Sequence, residues 1–361
     1  TYHGGEPIPS GCSVSLWSEP TGVFGKMEAV ILQGKVMLQN LKSYGRVLLA
    51  GGGFLYDLKR YWSYAGWKIR LGDAEERNYY MVKVYHALEK SMSFSERRPG
   101  AGWDNALLLM DALEKSANAQ QHGCHDNMSL TVLEKFLEVE KPHNPEKCSQ
   151  LAERIHSIKH HYSERDIELI DEPGVICFSR EKVEHAQLKE PESFFLTRHS
   201  LREYAAEPVD ESVLHRAVKL AMGTPSVCNR QAWHVYHLNG SMAQTALAEQ
   251  NGNRGFGHKV EQVLIVAADL KAFCSPNERY QHWIDGGMFS MSLIWALHSL
   301  GVASCCLNWS QSGRADMRLR SAVPIKPEHT VMMMIAIGYP KESNTVCSSV
   351  RRPVEEVYTL I

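Results

Sequence analysis

The sequence has almost no net charge and no long run of basic residues. Its 361 residues include 39 Lys and Arg and 41 Asp and Glu, which gives a formal net charge of -2 at pH 7. The longest basic runs are pairs, such as Arg97-Arg98 and Arg351-Arg352. Binding to nucleic acid or to an acidic membrane surface would need a basic stripe or a basic excess. We therefore expect neither as a partner.

Cysteine is present but in no ordered framework. The nine Cys are an odd number, no CxxC occurs, and Cys305 and Cys306 are adjacent within an apolar run. Small secreted domains use even sets of Cys for disulfides, and structural zinc sites use paired ligands at short spacing. The pattern predicts reduced cysteines in a cytoplasmic protein without a metal site.

The sequence also lacks clear export and membrane signals. Its first 17 residues have neither the basic start nor the apolar core of a signal peptide. Residues 286–313 contain no Asp, Glu, Lys or Arg, but His298 and Gly301 interrupt this stretch. A bilayer-spanning helix needs about 20 apolar residues. We predict instead a helix that is buried on all sides inside a globular core.

A dinucleotide-binding motif is absent as well. Gly51-Gly52-Gly53 follows a short apolar run, but Phe, Leu and Tyr come next, so the third glycine of GxGxxG is missing. No acidic residue closes a clear second strand about 20 positions later, as that motif requires. A glycine-rich turn between two helices is predicted here.

Two domains are predicted from the change in hydrophobic pattern. Helical spacing dominates from Glu75 to about Lys159, and Pro173, Gly174 and Pro191 then break it. Beyond this break, helical patterns alternate with apolar strand-like runs at residues 231–240, 260–270 and 330–340. We expect a mainly helical domain over 1–190 and a mixed α and β domain over 191–361.

A basic cluster, LTRHSLREY, occupies residues 196–204, just before a segment that reads as a helix. Arg198, His199, Ser200 and Arg202 would add side-chain donors to the positive potential of the helix amides. This combination suits the phosphate of a cofactor. From this motif alone, an ordinary solvated charge cluster is an equally good interpretation.

A second motif, TPSVCNRQAWHVY, begins at Thr224 and leads into a strand. Pro225 and Ser226 predict a turn, and Asn229 and Gln231 place amide side chains just before the strand. Amides at such a junction can hydrogen-bond a flat heterocycle that carries both donors and acceptors.

Together these two motifs resemble the FMN-dependent nitroreductase family, which carries a basic segment, a helix and a PSxxNxQPWH-like motif. Further segments of the chain fit in order: WIDGGMFSMSLIWALHSLGVASCCLNW, MMIAIGYP and SSVRRPVEEVY. The resemblance spans about residues 192–361. It implies an α+β fold, in which a three-layer domain with a central mixed, mainly antiparallel sheet flanked by helices follows the mainly helical domain. It also implies FMN as cofactor and a homodimer.

The resemblance assigns roles by position. The FMN phosphate and ribityl chain would be approached by Arg198, His199, Ser200 and Arg202, with Arg351 completing the phosphate clamp. The neighbouring subunit would contact the isoalloxazine and ribityl chain through Pro225, Ser226 and Asn229. Gly286 would allow close packing of the central helix at the dimer seam. Ala232 departs from the family's Pro, and Ser349 stands where a Lys is frequent.

The activity implied is reduction of a small organic substrate with hydride from NADH or NADPH through flavin N5. Such a site needs no protein nucleophile, and we assign no catalytic acid or base. The same fold also hosts oxidases, dehydrogenases and flavin-modifying enzymes, because fold does not determine reaction. A third alternative is a non-catalytic flavin-binding partner in polysaccharide biosynthesis.

Residues 85–106 resemble helical extensions of nitroreductase-like proteins encoded among bacterial polysaccharide genes. This stretch contains a dense polar group: His86, Glu89, Lys90, Ser93, Arg97 and Arg98. The group can be interpreted as a substrate or partner site, or as a helix terminus whose charges pair with one another. Both interpretations stay open at this point.

Overall fold

The computed structural model describes residues 23–159 and 172–361. Its contacts divide the chain into two units, residues 1–56 and residues 57–361. The first described element is α1 (Val23–Tyr64), a continuous helix of 42 residues. Gly51, Gly52 and Gly53 lie inside it, so the predicted glycine-rich turn is wrong. Each glycine destabilises a helix by about 1 kcal/mol relative to Ala, whereas a proline costs about 3 kcal/mol. Because α1 contains no proline, the helix continues through the three glycines.

Four further helices form the rest of the helical region: α2 (Ala74–Met92), α3 (Trp103–Ala119), α4 (Cys124–Glu140) and α5 (Pro145–Lys159). The carboxylate of Asp73 caps α2 by accepting hydrogen bonds from the N–H groups of Glu75 and Glu76. Leu88, Leu109 and Leu133 are fully buried in one shared core. The predicted helical character of this region is confirmed.

Two short helices, α6 (Arg180–His185) and α7 (Pro191–Leu196), precede the mixed part of the chain. There the elements are α8 (Glu211–Ala221), β1 (Trp233–Asn239), α9 (Gly240–Ala248), β2 (Gln262–Asp269), α10 (Gln281–Ser299), β3 (Ala303–Asn308), α11 (Gly313–Ala322) and β4 (His329–Gly338). The three strands predicted from apolar runs are β1, β2 and β4.

The four strands form one sheet with the order β1-β2-β4-β3. All three pairings are antiparallel, and an isolated parallel bridge joins Ser200 to Ser304 on β3. Every residue of β2 is buried, as its uninterrupted apolar run predicts. Val263 and Ile265 contribute to the core on one face, while Leu264 and Val266 contribute to the core on the other.

Helices cover both faces of this sheet. Residues of α9 and α11 share one core with the sheet, and residues of α8 and α10 share the other. Trp233 of β1, for example, stacks on Phe289 of α10 with ring centroids 4.7 Å apart. The predicted α+β class is thereby confirmed, with three layers in the C-terminal region and a helical region before it.

Only one face of α10 is buried. Phe289, Leu293 and Leu297 are fully buried under the sheet. Trp283, Ile284, Met288 and Met291 face away from it and are 38–51% exposed. The prediction that this helix is buried on all sides is therefore wrong for the single chain. Among the described residues, no helix is long and apolar enough to cross a bilayer.

Polar contacts join the helical region to the sheet within residues 57–361. The phenol of Tyr79 on α2 donates to the carboxylate of Asp269, at the end of β2, over 3.1 Å. Glu75 pairs with both Lys271 and Lys326, and these hydrogen bonds lower the pKa of its carboxyl to about 2. The predicted boundary at residues 190 and 191 falls inside this unit, and it stays a prediction.

Candidate functional site

A cavity of about 290 Å³ lies beside the basic cluster. Its lining combines the first and last of the predicted motifs: Phe195, Leu196, Arg198, His199, Ser200, Arg202, Cys347, Ser348, Ser349, Val350 and Arg351. The fold thus brings Arg351 to the same cavity as the four residues of the basic cluster, from more than a hundred positions away in the sequence. Five of the nine residues predicted to bind the cofactor share this cavity.

The edge of the sheet holds the basic cluster in place. The N–H of Leu201 donates to the carbonyl of Ser304 on β3 over 3.1 Å, next to the bridge made by Ser200. The phenol of Tyr204 donates to the carbonyls of Leu201 and Ala336. A Cβ on Gly338 would lie 2.5 Å from the Tyr204 ring, so glycine is needed there for this anchor.

No helix begins at the basic cluster. The cluster follows α7, and the next helix, α8, begins at Glu211. The prediction that helix amides add positive potential is therefore wrong. The positive charge of the cluster comes from its side chains, because its backbone is hydrogen-bonded to the edge of β3 and does not begin a helix.

Three guanidinium groups at this cavity lack a counter-charge from the described part of the chain. Within residues 23–159 and 172–361, no carboxylate lies within ion-pair distance of Arg198, Arg202 or Arg351. Nη1 of Arg202 lies 3.7 Å from Sγ of Cys347. Burial raises the pKa of the Cys305 thiol, and the nearby positive charge of Arg202 opposes that shift. Guanidinium groups without a carboxylate partner are chemically suited to bind an anion.

The loop of the second motif has an unusual backbone. Val227, Cys228 and Asn229 form one turn of 3-10 helix, and Cys228, Asn229 and Gln231 all have φ between 50° and 52°. This left-handed region costs an L-residue about 1–2 kcal/mol, with Asn the most tolerant of the three. We call residues 226–231 the strained loop. Such strain is concentrated at functional sites.

Hydrogen bonds inside the strained loop use some of its polar groups. The hydroxyl oxygen of Ser226 accepts from the N–H of Gln231 over 3.0 Å, and the Gln231 amide donates to the carbonyl of Asn229. Pro225, Ser226 and Asn229 do not line the 290 Å³ cavity of their own chain. Their predicted contacts to the cofactor, made from a neighbouring subunit, stay a prediction.

Gly286 packs within the chain. It is buried on α10, where a Cβ would lie 2.6 Å from Cγ of Met332 on β4. This close neighbour belongs to the same chain, and the predicted packing of Gly286 at a dimer seam stays a prediction. Gly287, whose added Cβ would meet nothing within 4 Å, lies on the exposed side of α10.

The polar group of the helical region is divided by the structure. Arg97 pairs with Glu140, which has no exposed surface and also accepts from the N–H of Gly100 and the indole of Trp103. Arg97 thus has the salt-bridged role, one of the two interpretations left open, and it is not free to bind a ligand. The density of charge in the sequence could not reveal this distant partner.

The remaining members of that group take no part in the ion pair of Arg97 with Glu140 among the described residues. Glu89 accepts from the N–H of Gly174 and lies 3.4 Å from His86, while the Ser93 hydroxyl donates to the carbonyl of Lys90. Lys90 and Arg98 are exposed. A substrate or partner role for His86, Glu89, Lys90, Ser93 and Arg98 stays a prediction.

Sequence reasoning missed several residues of the cavity. Cys347, Ser348 and Val350 line it, as do Phe195 and Leu196. Their position in the sequence next to Arg198 and Arg351 could have indicated them, because residues adjacent to a binding side chain often line the same cavity. Nothing in the spacing indicated that the Cys347 thiol would lie against Arg202.

The fold and the cavity define a class: an α+β domain whose helix-covered antiparallel sheet has an arginine-lined cavity beside its edge strand. The model of the nitroreductase family matches residues 196–269 of this chain. That match begins at the basic cluster and includes the strained loop, β1 and β2. It confirms the resemblance predicted for the C-terminal region.

Two curated relatives match less than half of the chain. A protein of Archaeoglobus fulgidus, named as an NADH dehydrogenase/NAD(P)H nitroreductase, is 24% identical over 147 residues, covering 40% of this chain and 83% of the relative. An NADH dehydrogenase of Thermus thermophilus is 23% identical over 193 residues, covering 45% of this chain and 91% of the relative.

Solved structures are similar over a comparable share. An FMN-dependent nitroreductase of Clostridium difficile R20291 is 18% identical, with a TM-score of 0.40, and covers 46% of this chain and 96% of its own. A nitroreductase of Desulfovibrio desulfuricans, solved in complex with FMN, is 18% identical, with a TM-score of 0.40, and covers 48% of this chain and 98% of its own.

Proposed function

We propose that the C-terminal region of this protein is an FMN-dependent oxidoreductase that takes hydride from NADH or NADPH and reduces a small organic substrate. The observation that carries the proposal is the cluster of Arg198, Arg202 and Arg351 around one cavity, without a carboxylate among the described residues to neutralise them. The match to the nitroreductase family and the NAD(P)H activities in the relatives' names support the same assignment.

The residues of the cavity fit the phosphate end of FMN. Guanidinium groups provide forked donors for phosphate oxygens, and the hydroxyl of Ser200 and the ring of His199 add further hydrogen-bonding groups. The volume of about 290 Å³ lies near the lower end of the range for small-molecule pockets. Such a cavity suits the phosphate and ribityl chain, and the flavin ring would extend beyond it.

Bound FMN would supply the hydride chemistry, as cofactors of this kind do. The chain would supply binding and orientation. Arg198, Arg202 and Arg351 would hold the phosphate, and Ser226 and Asn229, from a second subunit, would orient the ring. No side chain is assigned as a catalytic acid or base.

An anaerobic absorbance titration tests this function. The purified protein is mixed with FMN, freed of unbound flavin, and treated first with NADH and then with NADPH. We expect flavin bands that bleach with one of the two. Bands that persist would contradict the reductase proposal and favour an oxidase-like, flavin-modifying or non-catalytic role. A protein that takes up no FMN would contradict the cofactor assignment itself.

A homodimer is part of the proposal. The exposed side of α10 presents Trp283, Ile284, Met288 and Met291 as one apolar face, and a second copy would bury it. We expect a dimer in sedimentation equilibrium, and we expect Met288→Glu to yield monomers, because a charge in an apolar interface is costly. A wild-type monomer at micromolar concentration would contradict this. The cytoplasmic location, predicted from the cysteine pattern, and a role in polysaccharide biosynthesis, predicted from the resemblance, both stay predictions.

A further inference from the structure

A buried arginine joins the strained loop to the segment that follows β2. Arg230 is 2% exposed, and its guanidinium donates to the carbonyl of Ala272 over 2.6 Å and pairs with Glu278 at 2.5 Å. Its Nε donates to the carbonyl of Val227 over 3.2 Å. One side chain therefore links the loop's turn to a second, separate stretch of backbone.

A buried carboxylate holds the other side of the same turn. Asp285 on α10 is 1% exposed, and its Oδ2 accepts from the N–H of Val227 over 3.2 Å. Its Oδ1 accepts from the side-chain amide of Gln281 over 2.8 Å. Val227 is thus held by Asp285 at its N–H and by Arg230 at its carbonyl.

The second stretch of backbone is also where the helical region packs. Tyr61 and Ala65, from the end of α1, share an apolar core with Ala232, Leu270 and Phe273, and Val227 packs against that core. The guanidinium of Arg230 lies over the Phe273 ring at 5.2 Å. The helical region therefore supports the same backbone to which Arg230 ties the strained loop.

We propose that Arg230 and Asp285 are positioning residues that hold the strained loop in the conformation needed for Ser226 and Asn229 to orient the flavin. This inference rests on the proposed function. The loop's three left-handed residues, Cys228, Asn229 and Gln231, would relax to ordinary backbone conformations if both anchors were lost. Ser226 and Asn229 lie within that segment, so their side chains would move with it.

The test uses the full-length protein loaded with FMN. Arg230→Ala and Asp285→Ala are compared with the wild type for FMN affinity, for the visible circular dichroism of bound FMN and for its anaerobic reduction rate. We expect bound flavin with an altered dichroism band and a reduction rate lower by about ten- to a hundredfold, the scale of a misplaced reacting group. The phosphate cavity is unchanged, so FMN affinity should fall less than the rate.

Two sets of variants keep the test decisive. Arg320→Ala removes a largely buried ion pair with Asp316 on α11, outside both the loop and the cavity lining. It should leave the dichroism and the rate within about twofold of wild type. Arg230→Lys and Asp285→Asn serve if the Ala variants do not fold, and should give intermediate rates.

The outcomes separate the two proposals. Folded variants with wild-type dichroism and reduction rate would overturn the positioning role while leaving the proposed function intact. Equal losses in Arg320→Ala would also overturn it, because they would indicate general destabilisation. A wild-type protein that takes up no FMN would overturn the proposed function and this inference with it.

Discussion

Replacing Arg198 by Ala should weaken FMN binding by roughly 10- to 100-fold. A hydrogen bond to a charged group contributes about 1.5–3 kcal/mol, and each factor of ten in affinity corresponds to about 1.4 kcal/mol. Arg198 has no carboxylate partner among the described residues, so its removal strands no buried negative charge there. Its loss should therefore act on the ligand more than on stability. Fluorescence titration of FMN into the apoprotein measures the effect.

The matched control is Arg216→Ala on α8, an exposed arginine that does not line the cavity. It should leave the dissociation constant within about twofold, since it only removes a distant surface charge. Arg351→Ala should resemble Arg198→Ala if the C-terminal segment holds the phosphate. Equal affinity in all three variants would show that the cavity is not the phosphate site.

Replacing Glu140 by Ala should lower the free energy of unfolding by about 3–5 kcal/mol, the usual cost of breaking a buried ion pair. The change would leave the guanidinium of Arg97 without its partner and the N–H of Gly100 and the indole of Trp103 without an acceptor. Urea denaturation followed by circular dichroism measures the loss.

Arg97 and Arg98 provide the matched pair for this prediction. Arg97→Ala should also destabilise strongly, because Glu140 would remain as an unpaired buried charge. Arg98→Ala removes an exposed neighbour and should change stability by less than about 0.5 kcal/mol. If Arg97→Ala instead left stability unchanged and altered only the Michaelis constant for substrate, the structural role would be wrong and the substrate-site interpretation would return.

The spacing of apolar residues predicted those helices and strands in which side chains are buried at regular intervals. The uninterrupted apolar run of β2 indicated a strand covered on both faces, and both cores include it. The helical spacing from Glu75 to about Lys159 likewise predicted a helical region, and its helices share one core. In these segments, the burial of apolar side chains recurs at regular spacing, so the pattern can be recognised from many residues at once.

Features that depend on a single distant partner could not be predicted in this way. The salt bridge of Arg97 requires Glu140, and the close packing of Gly286 requires Met332. Each partner is more than 40 positions away in the sequence. The glycines within α1 have the opposite difficulty, because glycine favours turns locally while the flanking residues continue the helix. The meeting of Arg351 with the basic cluster followed from the family resemblance, not from spacing.

The strained loop also bears on the order in which this protein folds. Left-handed backbone at Cys228 and Gln231 has no local stabilisation from glycine, so an isolated segment would not adopt it. Its anchors, Arg230 with Glu278 and Val227 with Asp285, exist only once α10 and the segment after β2 are in place. The loop should therefore become native after the sheet and α10, and the last structure to form would be the part of the chain proposed to contact the cofactor.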